Sequence, residues 1–137
     1  MKLETAYQVF NEIKRSIKNL ENSNGYLSDE FEYNCNDAEE KYMYNISRSI
    51  VDRLDAVQTL LNWIEKPVIA IGRLTSNQNK RYEVGGKELT SGHPIDVWDD
   101  EWDEWVYSRV EHNGHDYYIV SFGRDEKIEG MSVRLRQ

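Results

Sequence analysis

Between Asp96 and Trp105 the chain reads DVWDDEWDEW, with six acids and three tryptophans in ten residues. Clustered carboxylates can hold a divalent cation or act as an acid/base pair. Either task needs ligands fixed by their surroundings. Asp99, Asp100, Glu101, Asp103 and Glu104 fall in a stretch that reads as an exposed loop, and nothing nearby in sequence fixes them. His112 and His115, in HNGH, would sit opposite each other across a tight turn. Two imidazoles fall short of the three or four ligands of a stable site, and the neighbouring Glu111 and Asp116 point to the other face.

Other chemistry is poorly supported. Cys35 lies near Glu32 and Asp37, and acid neighbours raise a thiol pKa and blunt its reactivity. Ser91 and His93 are too close in sequence to face each other, and no glycine-framed nucleophile turn is present. Gly85, Gly86 and Gly92 have neither Walker nor dinucleotide spacing. Gly25, with Asn22 and Asn24 before it, has some likeness to a calcium loop. Aligning it puts Leu20 and Phe31 where carboxylates belong. No enzyme, no metal and no cofactor is therefore expected.

Binding is the stronger expectation. A tryptophan at a loop tip is an anchor that fills a pocket, while adjacent charges steer the encounter and set register. Val97 and Trp105 read as structural. The expected partner-binding residues are Asp96, Trp98, Asp99, Asp100, Glu101, Trp102, Asp103 and Glu104. The competing reading has Trp98 and Trp102 closing the fold, with the acids keeping the loop soluble.

Composition points the same way. The chain has 137 residues and a formal charge of −8, and the acidity is shared by both halves. That charge repels phosphates and favours a basic partner. One cysteine allows no internal disulfide. The segment MKLETAYQVF has no long apolar run, so neither a signal peptide nor a membrane span is expected, and a cytoplasmic protein is.

The elements that position these residues follow from periodicity. Leu3, Ala6, Phe10, Ile13, Ile17 and Leu20 alternate steps of three and four, which predicts an amphipathic helix ending near Gly25. Residues 23–36 read as a loop. A second helix opens near Asn36–Asp37, with Asn36 as the candidate cap, and Pro67 stops it. Its apolar positions are Tyr42, Ile46, Ile50, Leu54, Val57, Leu61 and Ile64. Such a hairpin buries little alone. It must pack on the rest of the chain or pair with a second copy in a four-helix arrangement, so a homodimer through the helices is an open expectation.

After Pro67 short β-branched runs alternate with turn residues, predicting five or six strands. Asn113-Gly114 reads as a two-residue turn that pairs His112 with His115 and Val110 with Tyr117. The expected fold is α+β: a helical hairpin over 1–67, then a small SH3-like antiparallel β-barrel over 68–137.

The second half carries a resemblance. Gly72-Arg73-Leu74, Arg81-Tyr82-Glu83, Glu88-Leu89-Thr90-Ser91-Gly92, Trp105, Arg109-Val110-Glu111, Tyr117-Tyr118, and Gly130, Val133, Arg134 and Arg136 together resemble a family of small domains of unknown function. That family occurs in phages, plasmids and conjugative elements of Gram-positive bacteria. The resemblance implies an SH3-type barrel and carries over no established activity. In size, charge and setting the chain also resembles anti-CRISPR proteins. It implies an acidic inhibitor that occupies the nucleic-acid groove of a type II CRISPR effector nuclease. The alternatives are a dimeric interaction adaptor, and an RNA-binding barrel using Arg81, Arg134 and Arg136.

Overall fold

A computed structural model describes residues 1–24 and 31–137. The expected helix terminator Gly25 lies outside the described residues. The chain divides into two units, Met1–Glu65 and Lys66–Gln137.

The first unit holds α1 (Leu3–Asn24) and α2 (Ala38–Glu65). The cap of α2 is Asp37 and not Asn36. Its Oδ1 accepts from the backbone N–H groups of Glu39 at 2.9 Å and Glu40 at 3.0 Å. An acid at this position satisfies orphan donors and meets the positive end of the helix dipole. Asn36 instead donates its own N–H to Asn34 Oδ1.

The helices run antiparallel, with Lys14 paired to Glu65 and Gln58 bonded to Glu21. Seven residues forward on α1 correspond to seven back on α2, so these two links fix one register. It leaves Leu3–Ile13 of α1 beyond the end of α2, and the part of α2 before about Asp55 beyond the end of α1.

The inward face of α2 is Tyr44, Ser47, Val51, Leu54, Gln58 and Leu61, in alternating steps of three and four, and all six are buried or half-buried. Tyr44 stacks on Tyr33 with ring centroids 4.0 Å apart. The predicted seam shares only Leu54 and Leu61 with this face. Ile46, Ile50, Val57 and Ile64 are exposed. Repeated steps of four drift around a helix with 3.6 residues per turn, so that seam crosses from one face to the next.

The second unit has eight strand segments among the described residues. They are β1 (Val68–Arg73), β2 (Thr75–Ser76), β3 (Tyr82–Val84), β4 (Lys87–Glu88), β5 (Pro94–Asp99), β6 (Glu104–His112), β7 (Tyr117–Ile119) and β8 (Ser132–Arg136). A five-stranded antiparallel sheet runs β1-β8-β5-β6-β7, and a three-stranded one runs β2-β3-β4. The expected five or six strands are thus divided more finely. The expected α+β class holds.

Both sheets contribute to one core. Tyr82 and Val84 pack with Ile95, Val97, Val110 and Val133, and Leu74, Leu89 and Ile128 join from connecting segments. Leu89 at this depth donates its N–H to Tyr82 O at 2.8 Å, so its burial leaves no orphan donor there.

Gly85 and Gly86 form the two-residue turn between β3 and β4, with φ of 57° and 74°. Those values suit the mirror-image turn that matches strand twist.

The turn at Asn113 differs from its expected form. His112 lies opposite Tyr117, Glu111 opposite Tyr118, and Val110 opposite Ile119. The loop therefore spans Asn113–Asp116, and the register moves by two residues. Asn113 Oδ1 accepts from the N–H groups of His115 and Asp116, both at 2.9 Å, and Asn113 N–H donates to Asp116 O. The asparagine side chain builds a wider turn. The resulting register sets the fully buried Val110 and Ile119 face to face in the core.

Candidate functional site

The acidic stretch forms the hairpin of β5 and β6. Val97 lies opposite Val106, Trp98 opposite Trp105, and Asp99 opposite Glu104. Four residues, Asp100–Asp103, make the tip. Asp99 Oδ1 accepts from the N–H of Glu101 at 2.9 Å and of Trp102 at 3.4 Å. Asp103 adopts a left-handed φ of 56°, a conformation its short polar side chain tolerates. Local hydrogen bonding thus shapes the tip, and its acids are presented by a turn that needs none of the others.

Trp102 stands at this tip with 71% of its surface exposed. Asp100, Glu101, Asp103 and Glu104 around it are exposed, and Asp99 is half-buried. Trp98 is half-buried and meets Trp105 edge to face, with centroids 5.3 Å apart and planes at 70°. The two tryptophans therefore divide their tasks: Trp98 lines the sheet face and Trp102 projects from it.

Asp96 is separate from the rest. It is only 4% exposed. Its Oδ2 accepts from Arg134 Nε at 2.7 Å and from Arg136 Nε at 3.0 Å. Arg134 also lies 4.5 Å over the ring of Trp105, a cation–π contact, and Arg136 donates to Lys66 O at 2.8 Å. Asp96 is thus turned into this network, unlike the exposed acids of the tip. The alternation of VRLR, which puts both arginines on one face, was the sequence signal for this network.

Two hollows flank Trp98. One, of 440 Å³, includes Ile71, Arg73, Trp105 and Val133. The other, of 310 Å³, is lined by Asp99, Asp100 and Glu101, by the guanidinium-bearing Arg73, and by Phe122 and Met131. Three carboxylates against one guanidinium leave it net acidic, so it can take a long basic side chain with its stem on Trp98, Phe122 and Met131. Arg73, Phe122, Met131 and Ser132 of these walls had no signal in the sequence, because three separated segments bring them there.

Residues 72–135 match the family model described as a domain of unknown function, DUF5348. That domain spans the second half of the chain. The match contains the tip, Trp105, Arg134 and the lining of both hollows except Ile71, and stops short of Arg136. The resemblance read from Gly72 onward falls on the same segment. No curated protein and no solved structure matches the chain.

The remaining candidates lie elsewhere. His112 Nδ1 accepts from the N–H of Gly114, and its ring meets Tyr117 with centroids 4.8 Å apart. Cys35 is an exposed free thiol. Among the described residues no group of three or more His, Cys, Asp and Glu could hold a metal ion, and no helix is long and apolar enough to cross a membrane.

Arg81 pairs with Glu88 at 2.6 Å, so each arginine named for an RNA contact holds a carboxylate. Arg81, with Asn79 and Asn77, holds the Glu88 carboxyl down to about 2. A further hollow of 510 Å³ has Lys66, Lys87, His93 and Arg136 in its lining. Burial, and then the charges of Lys66 and Lys87, push the His93 imidazole below its ordinary value.

Proposed function

We propose that this chain is a non-catalytic binding protein that takes a basic protein surface on the β5–β6 tip. The observation that carries this reading is the exposure of Trp102 among five carboxylates, beside a hollow lined by three carboxylates, one guanidinium and the apolar side chains of Trp98, Phe122 and Met131. A large exposed aromatic at a shaped tip is an anchor, and the acids add steering and register. The two sheets around one core are read as a small barrel of SH3 type, and the acidic chain as a protein of a mobile element. Its target on this reading is the nucleic-acid path of a host defence nuclease, namely a type II CRISPR effector, where spaced carboxylates stand in for phosphates.

The test is direct binding to a guide-loaded type II CRISPR nuclease. Wild type is compared with Trp102→Ala and with a variant carrying Asp99→Asn, Asp100→Asn, Glu101→Gln, Asp103→Asn and Glu104→Gln. The expected result is binding by wild type that weakens with salt and at least tenfold in both variants. No binding by wild type at micromolar nuclease overturns the nuclease target. Binding that both variants retain overturns the tip as the site.

A second reading, an adaptor in which the helices join copies of the chain, draws support from the exposed apolar residues of the hairpin.

A further inference from the structure

The outward face of α2 repeats the pattern of its inward face. Met43, Ile46, Ile50, Val57, Leu60 and Ile64 follow steps of three and four, with Arg53 at the one polar position. Every one of these six is exposed, although five of them lie one residue before a position of the inward face. A period of 3.5 residues is what a helix needs to pack along another helix. Two adjacent stripes of that period mark a helix with helical neighbours on two sides, and α1 provides only one. Arg53 does not break the stripe. Its guanidinium is turned back to the carbonyl of Ser49 at 3.0 Å, leaving its aliphatic stem along the surface.

The overhang of α1 is also apolar. Leu3, Phe10 and Ile13 lie on the part of α1 that extends past Glu65, and all three are exposed. The six apolar side chains of the α2 stripe by themselves are 39% to 58% exposed. At ~200 Å² for a fully exposed large side chain they offer roughly 560 Å². One partner in a standard interface contributes about 800 Å², of which about 65% is apolar in homodimers.

We propose that this surface is the interface of a homodimer, in which a second copy of the hairpin completes a four-helix bundle. Three observations select a second copy. The stripe has helical period, so it fits a helix better than an extended peptide or a sheet. Its area matches one side of a self-complementary two-fold contact. The stagger of the hairpin also suits two-fold packing: turning a second copy end for end brings its α2 overhang to the end where the first copy's α1 overhang projects. A lipid surface fits less well, because a chain of charge −8 is repelled by anionic headgroups. The proposal is independent of the tip, and salt separates the two. Binding of a basic partner weakens as salt rises, whereas an apolar contact between like-charged copies is maintained or strengthened.

The experiment is sedimentation equilibrium of the full chain from ~1 to ~100 µM, a range that brackets micromolar self-association. The expected mass is twice the 16.2 kDa of one chain. Ile50→Glu with Leu60→Glu should give a monomer of unchanged helical circular dichroism, since both positions are exposed. The milder pair Ile50→Ser with Leu60→Ser should weaken association about tenfold, and it serves if the charged pair unfolds the hairpin. A wild type that stays at 16.2 kDa at the highest concentration overturns the proposal, as does a monomer that floats with lipid vesicles. A dimer that persists in both variant pairs, each of them folded, overturns the stripe as the interface.

Discussion

Trp98 and Trp105 lie directly opposite each other across β5 and β6, their rings 5.3 Å apart and edge to face. Arg134 reaches across β5 from β8 to cover the Trp105 ring and is held there by the buried Asp96. A chain of four side chains thus joins the middle of the sheet to the base of the acidic tip. The hollows on either side of Trp98 depend on it, and so does the platform from which Trp102 projects.

Replacing Asp96 by Ala should cost about 3 kcal/mol, the lower end for breaking a buried ion pair, since both arginines keep some solvent contact. Urea unfolding of the full chain measures it. A loss below about 0.5 kcal/mol, the range of an ordinary surface change, would show that the network does not hold the sheet.

Trp105 and Arg134 should show a coupling of about 0.5–1 kcal/mol in a double-mutant cycle, as expected of a cation–π pair with partial exposure. The cycle uses Trp105→Leu and Arg134→Met, which keep much of the packing. Additive losses would mean that the contact contributes by area alone.

Trp102→Ala should leave thermal stability within about 0.5 kcal/mol of wild type, because the ring is mostly in solvent. Trp98→Ala should cost about 2 kcal/mol, from the lost burial and the lost edge-to-face contact. Equal losses in calorimetry would contradict the division of tasks between the two tryptophans.

Gly85→Ala should destabilise more than Gly86→Ala. Both sites have positive φ, at about 1–2 kcal/mol for an L side chain. A Cβ at Gly85 would also fall 2.9 Å from the Ala70 Cβ, whereas one at Gly86 meets nothing within 4 Å. Chemical denaturation of the two variants ranks them directly, and the reverse order would contradict the close approach at Ala70.

Glu88 gives a pH dependence of known sign. Its carboxyl titrates near 4.5 unfolded and at about 2 folded, chiefly through the hydrogen bond from Arg81 and then those from Asn79 and Asn77. A depressed folded pKa contributes stability that is complete above the unfolded value and is lost as pH falls from about 4.5 toward 2. Acid unfolding of wild type and Glu88→Gln should therefore differ most near neutral pH and converge toward pH 2. A difference that stays constant from pH 7 to 2 would reject this assignment.

Local pattern determined much of this protein. The helical spacing of apolar residues specified both helices, although the seam read on α2 spread over two adjacent stripes. Gly85-Gly86 specified its turn, because few residues tolerate positive φ at two successive positions. The acids and tryptophans of Asp96–Trp105 marked a hairpin tip, since strand residues flank a run too polar to bury. Tertiary structure decided which faces are covered. Alternation put Asp96 and Trp98 on one side of β5, but only β8 alongside brought Arg134 and Arg136 to bury that carboxylate. The helical period of α2 could not say which of two stripes meets α1; the register fixed by Lys14–Glu65 and Gln58–Glu21 did. At Asn113 a side-chain hydrogen bond and the pairing of Val110 with Ile119 outweighed the turn preference of Asn-Gly. Periodicity records which residues share a face, and burial depends on what distant segments lay against it.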